Sequence, residues 1–171
     1  MSRHRHDPAK NLVGFLVGDV EYAVPITRVK EIANPLAIAA LPHPPLSVVG
    51  VADYRGEVVA VVDLRTRFGL APAPQSRRTK WIVVDVSGHH LAFVVDAVTD
   101  VFGTGGADLR PAPALGSGNE ARGVAGVANH GKALVFVLDT ARFRDIVEPL
   151  ASAGKIGPTV PPRALPSGAE R

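Results

Sequence analysis

The chain nearly repeats itself. Residues 50–68 read GVADYRGEVVAVVDLRTRF, and residues 126–143 read GVANHGKALVFVLDTARF. Each copy is a short apolar run, a glycine-containing turn, a second apolar run, then Asp and a polar segment ending in Phe. That is the pattern of a β-hairpin followed by a helical turn. The second copy is one residue shorter. Set against each other at the glycine, Asp53-Tyr54-Arg55-Gly56 faces Asn129-His130-Gly131, which puts the missing residue in the turn and leaves Arg55 without a counterpart. The likeness extends upstream. An offset of 69 positions lays Val17 on Val86, Tyr22 on Leu91, Ala23 on Ala92, Val24 on Phe93, Ile26 on Val95, Val29 on Val98, Glu31 on Asp100 and Ile32 on Val101. Two related halves follow, roughly 14–70 and 82–146. Modules this small are marginal alone, so they are expected to share one core, with exchange of strands between lobes left open.

A chain of 171 residues with 46% hydrophobic content supports one compact domain. Val is prominent, and its branched side chain favours strands. Long Leu-rich amphipathic stretches are absent, so the chain reads as all-β with short helical pieces. The net charge of +3 sits in the tails: between Leu12 and Val147, 13 Lys and Arg balance 13 Asp and Glu. A nucleic-acid binder shows a basic face with interleaved aromatics, and this body is neutral. No cysteine is present, which excludes disulfides and thiolate metal sites. The N-terminal MSRHRHDPAKN lacks the apolar segment of a secretory signal. No run is apolar for the ~18 residues that a bilayer span needs.

Strands are expected at Leu12–Val17, Glu21–Val24, Val48–Ala52, Val58–Val62, Trp81–Val86, Leu91–Val95, Val124–Ala128 and Ala133–Leu138. Pro25 suits the first position of a short helix that carries Ile26, Val29, Glu31 and Ile32, and Ala97–Val101 repeats it. Leu64–Phe68 reads as another short helix, and Ala141–Val147 as a terminal one. Residues 12–147 form the expected domain. Residues 1–11 and the proline-rich 148–171 are expected to be flexible tails.

Catalytic constellations are missing. Gly103-Thr104-Gly105-Gly106 lacks the Lys-Ser/Thr of a phosphate loop and does not open into a helix. His4 with His6, and His89 with His90, lack the third and fourth ligands a zinc site needs, so they read as solvated histidines. Asp63, Asp96 and Asp139 each stand before an expected short helix, where a carboxylate caps free backbone N–H groups. No nucleophile elbow or Ser-His-Asp set is present. Arg55 is the sharpest candidate, as a guanidinium on a turn that can pair with Glu31 or offer its fork to a partner.

With these residues in view, the chain resembles the CheW-like adaptor family of bacterial chemosensory arrays. The resemblance covers about 12–147 and rests on FLVGDVEYAVPITRVKEI at 15–32, Leu41-Pro42, GVADYRGEVVAVVDLRTRFG at 50–69, LAFVVDAVTDV at 91–101 and GVANHGKALVFVLD at 126–139. Ala60 and Ala92 depart from it, standing where Pro and Gly are usual. It implies two five-stranded, SH3-like barrels on a shared apolar core, and a non-enzymatic scaffold without cofactor or metal. That scaffold couples a CheA-type histidine kinase to the tip of a methyl-accepting chemotaxis receptor. By position, Glu31 and Arg55 match residues near the receptor groove, with Val94 and Val95 lining it from the second lobe. Val13, Ile26 and Val29 match an apolar patch that meets the kinase. The implied protein is cytoplasmic, recruited to membrane-associated arrays without inserting in the bilayer, and monomeric outside them. A variant reading keeps the fold and the kinase but drops the receptor, in a specialised motility or regulatory pathway.

Overall fold

The structure, a computed structural model, describes residues 8–103, 109–112 and 122–153. Thr104-Gly105-Gly106, His4, His6 and residues 154–171 lie outside the described residues. The chain starts in one sheet with β1 (Leu12–Val17) and β2 (Val20–Pro25), antiparallel across a turn at Gly18. It then crosses into a second sheet for β3 (Val29–Ala33), β4 (Val48–Tyr54), β5 (Glu57–Asp63), β6 (Lys80–Val86) and β7 (His89–Val95). It returns to the first sheet for β8 (Ala97–Phe102), β9 (Val124–His130) and β10 (Ala133–Leu138). Helix α1 (Leu64–Arg67) follows β5. After β10, a 3-10 segment (Thr140–Phe143) runs into α2 (Arg144–Ala153).

The two sheets have orders β8-β1-β2-β10-β9 and β3-β6-β7-β5-β4. The repeat turns one into the other, because β1 corresponds to β6, β2 to β7, β3 to β8, β4 to β9 and β5 to β10. Each five-stranded sheet therefore takes two strands from one half of the chain and three from the other. The parallel pairs where the halves meet are also equivalent: β10 on β2 and β5 on β7. An isolated bridge straps each sheet's outer hairpin strand, Ala39 to Val51 and Arg110 to Val127. The straps run so close that a Cβ on Gly50 or Gly126 would meet a strap carbonyl oxygen at 2.3 or 2.7 Å.

The core has the same symmetry. A central cluster draws Phe15, Val17 and Tyr22 from the first sheet, Ile82, Val84 and Phe93 from the second, and Leu64, Phe143 and Ile146 from the helical pieces. Phe93 meets Phe143 edge-on at 4.8 Å. Each sheet also folds around a smaller cluster. Ala52, Val59, Val61, Trp81 and Ala92 fill the second sheet, and their repeat mates Ala128, Val135, Val137, Leu12 and Ala23 fill the first. Neither small cluster is large enough to hold a domain by itself. The shared central layer makes the two lobes one unit. Ala60 and Ala92 are both buried in strands flanked on each side by another.

Three expectations about local structure fail. The helix expected from Pro25 is only three residues, Ile26–Arg28, and Glu31 and Ile32 stand on β3. Burial along Val29–Ala33 alternates at every residue, a strand period, and β3 pairs with β6 with Ile32 opposite Ile82. Ala97–Val101 is likewise strand β8, paired with β1. The terminal helix does not stop before Glu148. It continues through Pro149 to Ala153, anchored by the buried Ile146 and Val147. Tertiary packing overrides propensity in all three.

The repeat itself aligns differently in space. Tyr54 pairs with Glu57, and His130 with Ala133, so both hairpins turn on two residues. Arg55 is therefore matched by Gly131, and Tyr54 by His130. The offset of 76 positions holds from Gly50 and Gly126 through Asp63 and Asp139. The missing residue falls after the Asp, where α1 is replaced by the 3-10 segment. Arg55 is thus not an insertion.

Candidate functional site

The β4–β5 turn carries Arg55 at φ 51° and Gly56 at φ 82°, both left-handed, as a two-residue hairpin turn that follows the strand twist requires. Asp53 fixes the turn by accepting the Gly56 N–H at 2.8 Å. A left-handed backbone favours glycine over any residue with a Cβ. The equivalent position in the other lobe is Gly131, at φ 61°. An arginine here costs backbone energy that its side chain must offset.

That side chain folds back onto β3. Its Nε donates to Glu31 Oε2 and its Nη2 to Glu31 Oε1, each at 3.0 Å, a bidentate fork. The Tyr54 hydroxyl donates to Glu31 Oε2 as well. The guanidinium lies 5.7 Å from the Tyr54 ring centroid. The Arg55 and Tyr54 hydrogen bonds hold the Glu31 carboxyl down at about 2. Burial, and then the bond to that carboxylate, push the Tyr54 phenol up. The Arg55 side chain remains 70% exposed, so half of its fork edge faces outward while Glu31 fixes the other. β3 and β4 are the two edges of the second sheet. The Glu31–Tyr54–Arg55 set closes the seam between them with charge and presents a rigid cation on the surface. His90 stands edge-on to Tyr54 and its Nδ1 lies 2.7 Å from Glu57 Oε2, so it is not the solvated histidine that the sequence suggested.

Toward the other end of β4 and β5 from the Arg55 turn lies a groove of about 210 Å3, walled by Leu36, Ile38, Val49, Trp81 and Val94 and lined also by Arg65 and Asp96. Val94 is thus on a surface. Val95, the next residue, points the other way and is 1% exposed in the central core, so it offers nothing to a partner. Val13 is also 1% exposed in that core. Ile26 and Val29 are partly buried beside it and keep an outer face. Strand alternation separates these residues, and the period of the apolar run alone did not reveal which phase faced inward.

Sequence reasoning placed two caps correctly: Asp63 accepts from the Arg65 N–H and Asp139 from the Ala141 N–H, each at 3.0 Å. It missed what Asp96 does. No helix follows it. Its carboxylate accepts the Gly18 N–H at 2.7 Å and both its oxygens meet Arg65 Nε, at 2.9 and 3.0 Å. Arg65 also donates to the Ala71 carbonyl at 3.0 Å. Asp96 sits where the chain passes from the second sheet to the first, so this knot ties α1 to the opposite sheet's first turn. No metal-holding group of three or more His, Asp or Glu occurs among the described residues.

A family model described as a CheW-like domain matches residues 11–147. The chain belongs to the CheW-like domain family. It is 35% identical over 126 residues to the chemotaxis protein CheW of Rhizobium meliloti, covering 72% of this chain and 81% of that one. It is 35% identical over 107 residues to the CheW of Helicobacter pylori, covering 63% of this chain and 65% of that protein. FrzA of Myxococcus xanthus is 34% identical over 121 residues, with 70% and 74% covered. The crystal structure of the scaffolding protein TtCheW from Thermoanaerobacter tengcongensis superposes with a TM-score of 0.69 at 25% identity, over 81% of this chain and 90% of that one. These CheW-like relatives bear out the family, the two-barrel all-β fold and the chemotaxis coupling role that the sequence implied.

Proposed function

We propose that this chain is a scaffold without catalytic turnover that joins a CheA-type histidine kinase to the cytoplasmic tip of a methyl-accepting chemotaxis receptor. The observation that carries the reading is the Arg55–Glu31 fork, an arginine kept at a left-handed turn position with its guanidinium held rigid and 70% exposed. Such a group orients a partner and selects it by charge more than it adds affinity. The receptor tip contacts Arg55 and Glu31, with Val94 supplying apolar surface in the groove farther along the same sheet. A helical partner suits a groove of this kind. The kinase docks on the outer faces of Ile26 and Val29, where desolvation of apolar surface drives binding. Val13 and Val95 support these surfaces from inside. No described helix is long and apolar enough to cross a membrane, and the reading puts the chain in the cytoplasm, monomeric until it joins a receptor array.

The test is co-purification with a receptor-tip fragment and a kinase regulatory domain. Arg55→Glu should lose the receptor and keep the kinase. Ile26→Glu should do the reverse. If Arg55→Glu retains the receptor as the parent does, the receptor assignment is wrong. A second reading keeps the fold and the kinase but drops the receptor, in a specialised motility or regulatory pathway. That reading wins if the parent protein captures kinase alone.

A further inference from the structure

A second cleft, on the other side of the Arg65–Asp96 knot, holds about 440 Å3, within the size range of small-ligand sites. Its walls come from both lobes: the β1–β2 turn on one side, α1 and the segment after it on the other. Val17, Val20, Phe68 and Leu70 give it an apolar lining. Its charges are of both signs. Arg65 is already taken by Asp96. Asp19 and Arg122 also line the cleft, and neither has an ion-pair partner among the described residues. Arg122 hydrogen-bonds the Tyr22 side chain and reaches the Phe68 carbonyl at 3.5 Å, and it lies 5.8 Å from the Phe68 ring centroid. Tyr22, 3% exposed, also lines this space, with its phenol hydrogen-bonded to Arg122.

A lone cation beside a phenol binds carboxylate, and a lone carboxylate binds ammonium. One of each in an apolar cleft suits a small zwitterion with an apolar body better than it suits an anion or a cation alone, since either would leave one protein charge unmet. We propose that this cleft binds an apolar α-amino acid, with its carboxylate on Arg122 and Tyr22, its ammonium on Asp19, and its side chain against Val20 and Leu70. A molecule so seated touches both lobes at the knot that fixes their orientation. The cleft shares Arg65 with the groove that carries Val94 and none of its other lining residues.

L-Leucine is the probe, titrated to ~10 mM because a ligand of this size is expected to bind at about 1 mM or tighter. N-acetyl-L-leucine removes the ammonium charge and L-leucinamide the carboxylate. Amide resonances of the intact protein should shift saturably for Gly18–Tyr22 and Leu70 with L-leucine, and at least tenfold more weakly with either analogue. The melting temperature should rise by a few degrees at the highest concentration. Arg122→Gln and Asp19→Asn, both surface changes, should each abolish the shifts with the fold intact by circular dichroism. No saturable shift with L-leucine overturns the proposal. So does equal binding of an analogue, or full binding by Arg122→Gln.

Discussion

The tips of the two equivalent hairpins solve one problem with different chemistry. Each sheet is open between its outermost strands, and each closes the opening with a side-chain clasp between them. In the second sheet, Glu31 on β3 takes Arg55 and Tyr54 from the β4–β5 tip. In the first, Asp100 on β8 lies 3.6 Å from Nε2 of His130, and Glu21 lies 2.8 Å from its Nδ1. His130 stands where Tyr54 stands, and its ring stacks on Phe102 at 3.9 Å and 2°. Asp100 stands where Glu31 stands. The exposed member differs: in the first sheet it is the acid, Asp100 at 63% with His130 at 29%, and in the second the base, Arg55 at 70% with Glu31 at 32%. One clasp closes a barrel. The other closes a barrel and also holds a permanent cation in solvent. Duplication supplied two similar seams, and a binding surface can be built at one while the other stays structural.

The largest expected effect tests whether the lobes are one unit. Phe93 belongs to the central cluster and touches Phe143. Phe93→Ala should cost about 3–5 kcal/mol, typical of a large aromatic removed from a core. Urea unfolding should remain a single transition, with both hairpins lost together. Two separated transitions would mean that the lobes are independent and that their comparison is one of separate domains. Next in size is the knot. Asp96→Ala strands the Gly18 N–H and frees Arg65, a loss of about 1–2 kcal/mol by the same measurement. Asp96→Asn, which keeps an acceptor for Gly18, should recover part of it. If both variants match the parent in stability, the knot does not tie the lobes.

Acid should test the second-sheet clasp. Glu31 titrates at about 2 in the folded protein against 4.5 ordinarily. A lowered carboxyl value means the folded state holds the proton less well than the unfolded chain. The stabilisation is then present above about 4.5 and lost as pH falls from there toward 2. The Glu31 side-chain carboxyl resonance, followed by NMR, should therefore show a midpoint near 2, and Arg55→Gln should move it back up toward 4.5. A midpoint unmoved by that substitution would mean that Tyr54 alone holds the carboxylate.

How far these features could be read beforehand depends on which physical rule fixed them. Hairpins were legible, because an alternating apolar run, a glycine turn and another run leave few options. Asp63 and Asp139 as caps were legible for the same local reason. The exchange of strands between sheets was not, since it depends on where the chain crosses at Ile26–Arg28 and at Asp96. Nothing local at either crossing announces a change of sheet. The short segment Val29–Ala33 misled because apolar residues three apart fit a helix as well as a strand edge. Val13 and Val95 were assigned to surfaces by position in a family pattern, but the strand phase turns both inward. Arg55 was singled out through an alignment that put the missing residue in the wrong place. It remains the sharpest surface residue for a different reason, its backbone.

That reason yields the smallest expected change in stability and the most discriminating experiment. Arg55→Gly makes the second-sheet tip like the first, with glycine at the left-handed position, as at Gly131. The substitution removes the fork to Glu31 and relieves the backbone. These act in opposite directions, so the melting temperature should stay within a few degrees of the parent. Tyr54 still donates to Glu31 and keeps the seam closed. Receptor capture, in contrast, should be lost as fully as in Arg55→Glu, because the exposed guanidinium is gone. Retained capture with unchanged stability would make Glu31 and the groove at Val94 sufficient for docking, and the two tips would then be functionally alike. A large drop in stability would show that the fork holds the barrel shut, and the arginine would stand at that turn for structure alone.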